Sequence, residues 1–303
     1  MEVVSRPRRK MLGNRRVTGM EQCYTPPHVA EAVVDAVTAL VPDWRDRPWL
    51  EPCGGTGTFV DVLRSRGVED VTAVDLEPRH PQVRKSDFLV DALPAISGAI
   101  TATNPPFGRN NALSVPFFNR AAEVSDVIAF IVPRSWRKWS VVNRLHPQFH
   151  CVLDDDLQID YLDADGEKLY ERNNLRTAIQ VWRRGTELRT RIDAEDRGYI
   201  RKVTPSEADV SLTIFGRGCG TVRTEFARVP NTTQMFLEVR DRQVLEALSA
   251  VDFSRFYNNV AYTEALSIKE IFHLLNEHFD ERATASSTGG SSRRGSPPSP
   301  CRA

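Results

Sequence analysis

A chain of 303 residues, 41% hydrophobic and 26% charged, has material for one large α/β domain with an appendage, or for two modest domains. Its 40 Lys and Arg balance 40 Asp and Glu, which excludes a strongly basic binding domain though not a local basic face. Five scattered cysteines without a CxxC pair argue against a zinc site and a disulfide framework, and with no secretory or membrane-spanning apolar run the expected setting is the cytoplasm.

In chain order, residues 1–19 form a basic arm carrying Arg6, Arg8, Arg9, Lys10, Arg15 and Arg16, expected to be disordered. "CYTPPHVAEAVVDAVTALV" then reads as a helix, with Thr25 as N-cap, Pro26 at the first helical position and Val29, Val33, Val37 and Leu40 at helical spacing. "PWLEPCGGTGTF" is a strand and a glycine-rich turn leading to a helix near 60–65. "VTAVDLEP", "VRKSDFLV" and "AITATNPP" are strands, the first two ending in acids. "FFNRAAEVS" belongs to a helix, "VIAFIVP" is a central strand, and "IDYLD" with "TAIQVWRR" suggests a closing hairpin. This alternation predicts a doubly wound, mostly parallel sheet over residues 20–185, with ligands beyond the carboxyl ends of the strands.

Residues 186–280 break the rhythm with short glycine-punctuated strands and a last helix opened by a Ser267–Glu270 capping box, and predict a small α+β module. Residues 281–303 are a Ser/Gly/Pro/Arg tail.

The chemistry-bearing residues fall at predicted strand ends. Gly54, Gly55 and Gly57 follow a strand and precede a helix, where glycine lets a backbone approach a ligand closely. Asp75, twenty residues after Gly55, can accept both hydroxyls of a ribose, and Asp87 can meet an adenine amine while Phe88 stacks on the ring. Together they describe a nucleoside-bearing ligand. The G-G-x-G spacing differs from the nicotinamide pattern, and the acid Glu51 ahead of it suits a cationic amino-acid end better than a pyrophosphate. That favours S-adenosylmethionine (SAM) over NAD.

The ordered set "QCYTPPHVAEAVV", "LEPCGGTGTF", "VTAVDLEP", "SDF", "TNPPFG" and "AFIVPRSW", over residues 22–136, resembles class I SAM-dependent N6-adenine DNA methyltransferases, including stand-alone phage and bacterial members. The resemblance implies a Rossmann-like seven-stranded methyltransferase fold. It places Thr25 and Pro26 near the methionine carboxylate, Glu51 near its amino group, Gly54, Gly55 and Gly57 around the cofactor, Asp75 at the ribose, and Asp87 with Phe88 at the adenine, with Pro52 and Leu76 among the cofactor-binding residues. No metal is implied.

In "NPPF" the chemistry is explicit. An adenine amine is a poor nucleophile because its lone pair is delocalised into the ring. If both N–H groups donate to fixed acceptors, the Asn104 Oδ1 and the Pro105 carbonyl, the nitrogen can pyramidalise toward the sulfonium methyl. Pro106 freezes the turn, and Phe107 offers a face to the flipped base. Asn here favours adenine over cytosine, whose enzymes in this class usually carry Ser. The expected partner is DNA; an RNA adenine, or an inactive SAM-binding scaffold, is the alternative.

"VPRSWRKW" interleaves Arg134, Arg137 and Lys138 with Trp136 and Trp139, a basic loop able to contact phosphates, or else one whose tryptophans pack inward. His146 and His150 straddle a proline, "HLLNEH" lacks the HExxH spacing, and the Asp154–Asp165 acids lack an EF-hand pattern, so no metal site is expected.

Overall fold

The computed structural model describes residues 23–169 and 174–287; the basic arm, and the tail from residue 288, lie outside these. The chain divides into two compact units. One runs to Trp136 and resumes over Ser140–Thr190, and the other comprises Arg137–Trp139 and the chain from Arg191.

The first unit is built on seven strands: β1 (Trp49–Glu51), β2 (Val71–Asp75), β3 (Val83–Lys85), β4 (Ala99–Thr103), β5 (Ser125–Pro133), β6 (Phe149–Leu157) and β7 (Thr177–Arg184). They lie in the order β3-β2-β1-β4-β5-β7-β6. β1 to β5 pair parallel, and β7 runs antiparallel to both of its neighbours. Every residue of β1 and β4 is buried, as expected of central strands covered on both faces. The helices are α1 (Pro27–Leu40), α2 (Thr58–Ser65), α3 (Ser114–Ala121) and the short α4 (Trp139–Val142).

Two expectations change. Helix α1 begins at Pro27, with Pro26 as the N-cap residue and no side-chain cap; the Pro26 carbonyl takes the first helical bonds from Val29 and Ala30, at 3.0 and 3.2 Å. Thr25 is buried one residue further out. The partner of β7 is not "IDYLD" but β6, whose run Asp154–Asp156 disguises a strand as a polar loop. As the last strand of the sheet, β6 is where charge belongs, because it blunts pairing with other chains. Among the described cysteines, Cys23, Cys53 and Cys219 are free thiols.

The second unit carries an antiparallel sheet of β8 (Ile200–Lys202), β9 (Val210–Phe215), β10 (Val222–Arg223) and β11 (Thr233–Val239), in the order β10-β9-β11-β8. Helices α5 (Arg242–Ala250), α6 (Ser254–Tyr257) and α7 (Ile268–Ser287) complete it. The Asp241 side chain caps α5 by accepting from the Val244 N–H at 3.0 Å. The expected capping box opens α7: the Glu270 N–H donates to Ser267 Oγ at 3.3 Å, and the Ser267 N–H to Glu270 Oε2 at 2.8 Å. Ile271, Phe272 and Leu275 enter the core with Val210, Leu212 and Leu237.

Glu270 also receives the Lys138 ammonium, at 2.8 and 2.9 Å to its two oxygens, and its side chain is 3% exposed. Removing one partner of such a pair strands the other charge. Lys138→Met is therefore expected to destabilise this unit by about 3 kcal/mol. Urea denaturation checks it, with the Lys138→Met/Glu270→Gln double variant regaining part of the loss.

Candidate active site

β1 and β4 are neighbours in the sheet, yet the chain continues from β1 to β2 on one side and reaches β4 on the other. This reversal is a topological switch point, and beyond the carboxyl ends at such a point lies the general ligand position in open α/β sheets. Glu51 is the last residue of β1, Asp75 the last of β2, and Asn104 directly follows β4. Asp87 lies two residues beyond the end of β3.

Glu51 is 1% exposed. Its Oε1 accepts from the Cys53 N–H at 2.8 Å and from the Thr103 hydroxyl, whereas Oε2 is buried with no hydrogen-bond partner. Burial pushes this carboxyl from its ordinary 4.5 up to about 8; the Thr103 and Cys53 bonds pull down, and the Asp75 charge adds a small upward push. Pro52 is buried beside it.

The glycine turn bends tightly around this carboxylate. Gly57 has φ +81° and caps α2, a backbone conformation that glycine adopts without strain. At Gly55 the ring of Tyr24 comes so close that a Cβ would meet its Cε1 at 2.8 Å. Gly54 joins the turn to β2 through its N–H to the Val74 carbonyl at 2.9 Å. Asp75 spans the turn: Oδ2 accepts from the Gly55 N–H and Oδ1 from the Glu77 N–H, both at 2.8 Å. Each oxygen keeps a lone pair for a further donor. Leu76 follows, 58% exposed, an apolar side chain left uncovered at the end of β2.

Asp87 is half-buried, and its Oδ1 accepts from the Leu89 N–H at 2.9 Å. Phe88 is 4% exposed and stacks on Phe117 at 5.5 Å, which takes up one face of its ring.

Asn104 is the second unusual group. Its Nδ2 donates to the Cys23 carbonyl at 3.3 Å, while Oδ1 is buried and unpartnered. Cys23 is held there because its neighbour Tyr24 exchanges both backbone bonds with Leu162, each at 3.0 Å. After Asn104 the chain runs through buried Pro105, exposed Pro106 and half-buried Phe107. The Phe107 carbonyl accepts from the Leu113 and Ser114 N–H groups at 3.3 and 3.4 Å, tying the loop to the start of α3. Asn110 and Asn111 both take positive φ in between.

The basic loop after β5 is otherwise engaged. Trp136 is 0% exposed, and its Nε1 donates to Ser114 Oγ at 3.1 Å, so it packs against the start of α3 instead of offering a stacking face. Arg134 pairs with Asp156 at 2.5 Å, Lys138 with Glu270, and Trp139 packs edge-on against Phe256 and His273. Arg137 is half-buried and also has a partner. The inward-packing alternative describes this loop. Thr103, Tyr24 and the Cys23 carbonyl are the contributors that sequence reasoning missed, because their partners lie far away along the chain.

The parallel strands, the antiparallel β7 and the reversal between β1 and β4 define a doubly wound, Rossmann-like α/β fold. No protein-family model and no curated protein matches the sequence. Among solved structures the chain is similar to a candidate RNA methyltransferase from Pyrococcus horikoshii (18% identity, 58% of this chain and 94% of that one, TM-score 0.44). It is also similar to TrmN from Thermus thermophilus (17%, 52% and 48%, 0.38) and to a type I restriction-modification methyltransferase subunit from Streptococcus thermophilus (12%, 86% and 57%, 0.36). These are likenesses of fold alone.

The residues present fit SAM. An orphaned, buried carboxylate oxygen suits an ammonium, and the bidentate Asp75 at the end of β2 suits a diol. Among the described residues no cluster of three metal-ligating side chains occurs, and no helix is long and apolar enough to cross a membrane.

Proposed function

We propose that this protein is a SAM-dependent methyltransferase acting on the N6 amine of an adenine in DNA, the base being flipped into the site. One observation carries the reading: two buried acceptor atoms, Glu51 Oε2 and Asn104 Oδ1, stand without partners at the ends of the adjacent strands β1 and β4. A buried polar atom without a partner costs free energy, and a ligand donor at each would recover it. Glu51 takes the amino group of the cofactor, with Thr25 and Pro26 beside its carboxylate and Asp75 at its ribose.

Asn104 Oδ1 and the Pro105 carbonyl accept the two hydrogens of the adenine amine and Phe107 stacks on the ring. The cofactor supplies an electrophilic methyl when bound. The chain aligns the amine lone pair toward it and carries no covalent intermediate.

The test is incubation of the purified protein with tritiated SAM and genomic DNA, followed by nucleoside analysis. Label in N6-methyladenine that is released by DNase supports the reading. Label released only by RNase transfers the activity to an RNA adenine, and cofactor binding without label on either polymer leaves an inactive scaffold.

A further inference from the structure

The two acceptors of the site are linked by a side chain that belongs to neither. Thr103 is the last residue of β4, is 0% exposed, and pairs with Phe130 of β5 in the register of the central sheet. Its hydroxyl donates to Glu51 Oε1 on the adjacent strand. The Cys53 N–H donates to the same Oε1 at 2.8 Å. Oε1 is thus held by two donors from two different segments, and Oε2 by none.

A carboxylate with only one fixed donor can swing about its last torsion, which is broad and roughly two-fold. A second donor on the same oxygen fixes which oxygen is left over. A threonine hydroxyl anchored in a central, wholly buried strand is a rigid point from which to do this.

We infer that Thr103 is a positioning residue of the methyl-transfer site: its hydroxyl locks the Glu51 carboxylate so that Oε2 faces the cofactor's amino group. Because Asn104 is the next residue, the cofactor acceptor and the base acceptor are set from one stretch of β4. A hydrophobic side chain would fill the same space without doing this, so packing alone does not call for a hydroxyl here. The inference rests on the reading of Glu51 as the cofactor's amino-group partner.

Thr103→Val is the isosteric test, and Thr103→Ser restores the hydroxyl. Cofactor affinity is measured by calorimetry across pH, and transfer by steady-state kinetics. For Thr103→Val the expected result is a loss in cofactor affinity of about tenfold to a hundredfold, the range for a hydrogen bond to a charged group. The effect should fall on KM for the cofactor far more than on kcat.

The pH profile gives the readout that a packing role would not move. The groups facing Glu51 are Asp75, the Cys53 thiol and the Thr103 hydroxyl. Removing the hydroxyl takes away a donor that favours the ionised form, so the pH midpoint for cofactor binding should move upward in Thr103→Val and return with Thr103→Ser. An unchanged affinity and midpoint in Thr103→Val, in a protein whose wild type binds SAM, overturns the positioning role. A wild type that does not bind SAM overturns the reading of the site instead.

Discussion

Asn104→Ala is expected to bind SAM within about twofold of wild type and to lose methyl transfer by roughly a hundredfold to a thousandfold, the usual scale for removing one preorganised hydrogen-bonding group from a reacting centre. The split follows from where the atoms sit. Asn104 makes no bond to Glu51, to Asp75 or to the glycine turn, so truncating it leaves the cofactor's partners intact. What disappears is the unpartnered Oδ1, the acceptor assigned to the adenine amine. Asn104→Asp should fall in between. It keeps an acceptor, but it replaces the Nδ2 that donates to the Cys23 carbonyl with an oxygen that repels it. Cofactor binding by calorimetry and label transfer to DNA separate the two steps. Equal transfer by Asn104→Ala and wild type would remove Asn104 from the chemistry.

Glu51→Gln should fold well and bind cofactor at least a hundredfold more weakly, on the order of what is lost when a buried charged pair loses one member. Below about pH 8 the buried Glu51 carries its proton, and Gln is close to an isostere of that neutral form, so the unliganded protein loses little. The ammonium of the cofactor needs the ionised carboxylate, which Gln cannot supply.

The same property fixes the pH dependence. Cofactor binding must release the Glu51 proton below about pH 8, so wild-type affinity should rise about tenfold per pH unit up to that point and flatten above it. The Gln variant should lack this slope. Stability of the unliganded protein runs the other way: between 4.5 and about 8 the folded state holds a proton that the unfolded chain has released, so stability falls as pH rises through this window. Thermal melts from pH 5 to 8 check the sign.

Local order made part of this site legible in advance. Glu51, the glycine turn, Asp75 and Asn104 to Phe107 each close a recognisable run, and the alternation of strands and helices placed those runs on one edge of a sheet. What depends on distant partners was hidden. Phe88 was assigned to the adenine because it adjoins Asp87, but Phe117 takes up one face of its ring. The basic loop looked like a phosphate grip because nothing near it in sequence betrays Ser114 under Trp136, or Glu270 and His273 around Lys138 and Trp139. Strand β6 escaped because three aspartates suit an edge and contradict an average strand. The Thr103 bond spans 52 positions and leaves no local pattern at all.

The tie between Asn104 and the Cys23 carbonyl crosses 81 positions, and Cys23 is itself fixed through the Tyr24–Leu162 pairing. Contacts of such separation close longer loops than local ones, at an entropic cost that grows slowly with length. The Asn104 amide therefore takes its orientation from a segment at the start of the sheet unit that is itself tied to Leu162. A partly folded chain could already hold the glycine turn and Asp75, which lie 20 positions apart, and still be unable to present Oδ1. The orientation of the Asn104 amide thus reports on the whole unit, whereas the bond between the glycine turn and Asp75 reports only on its first half.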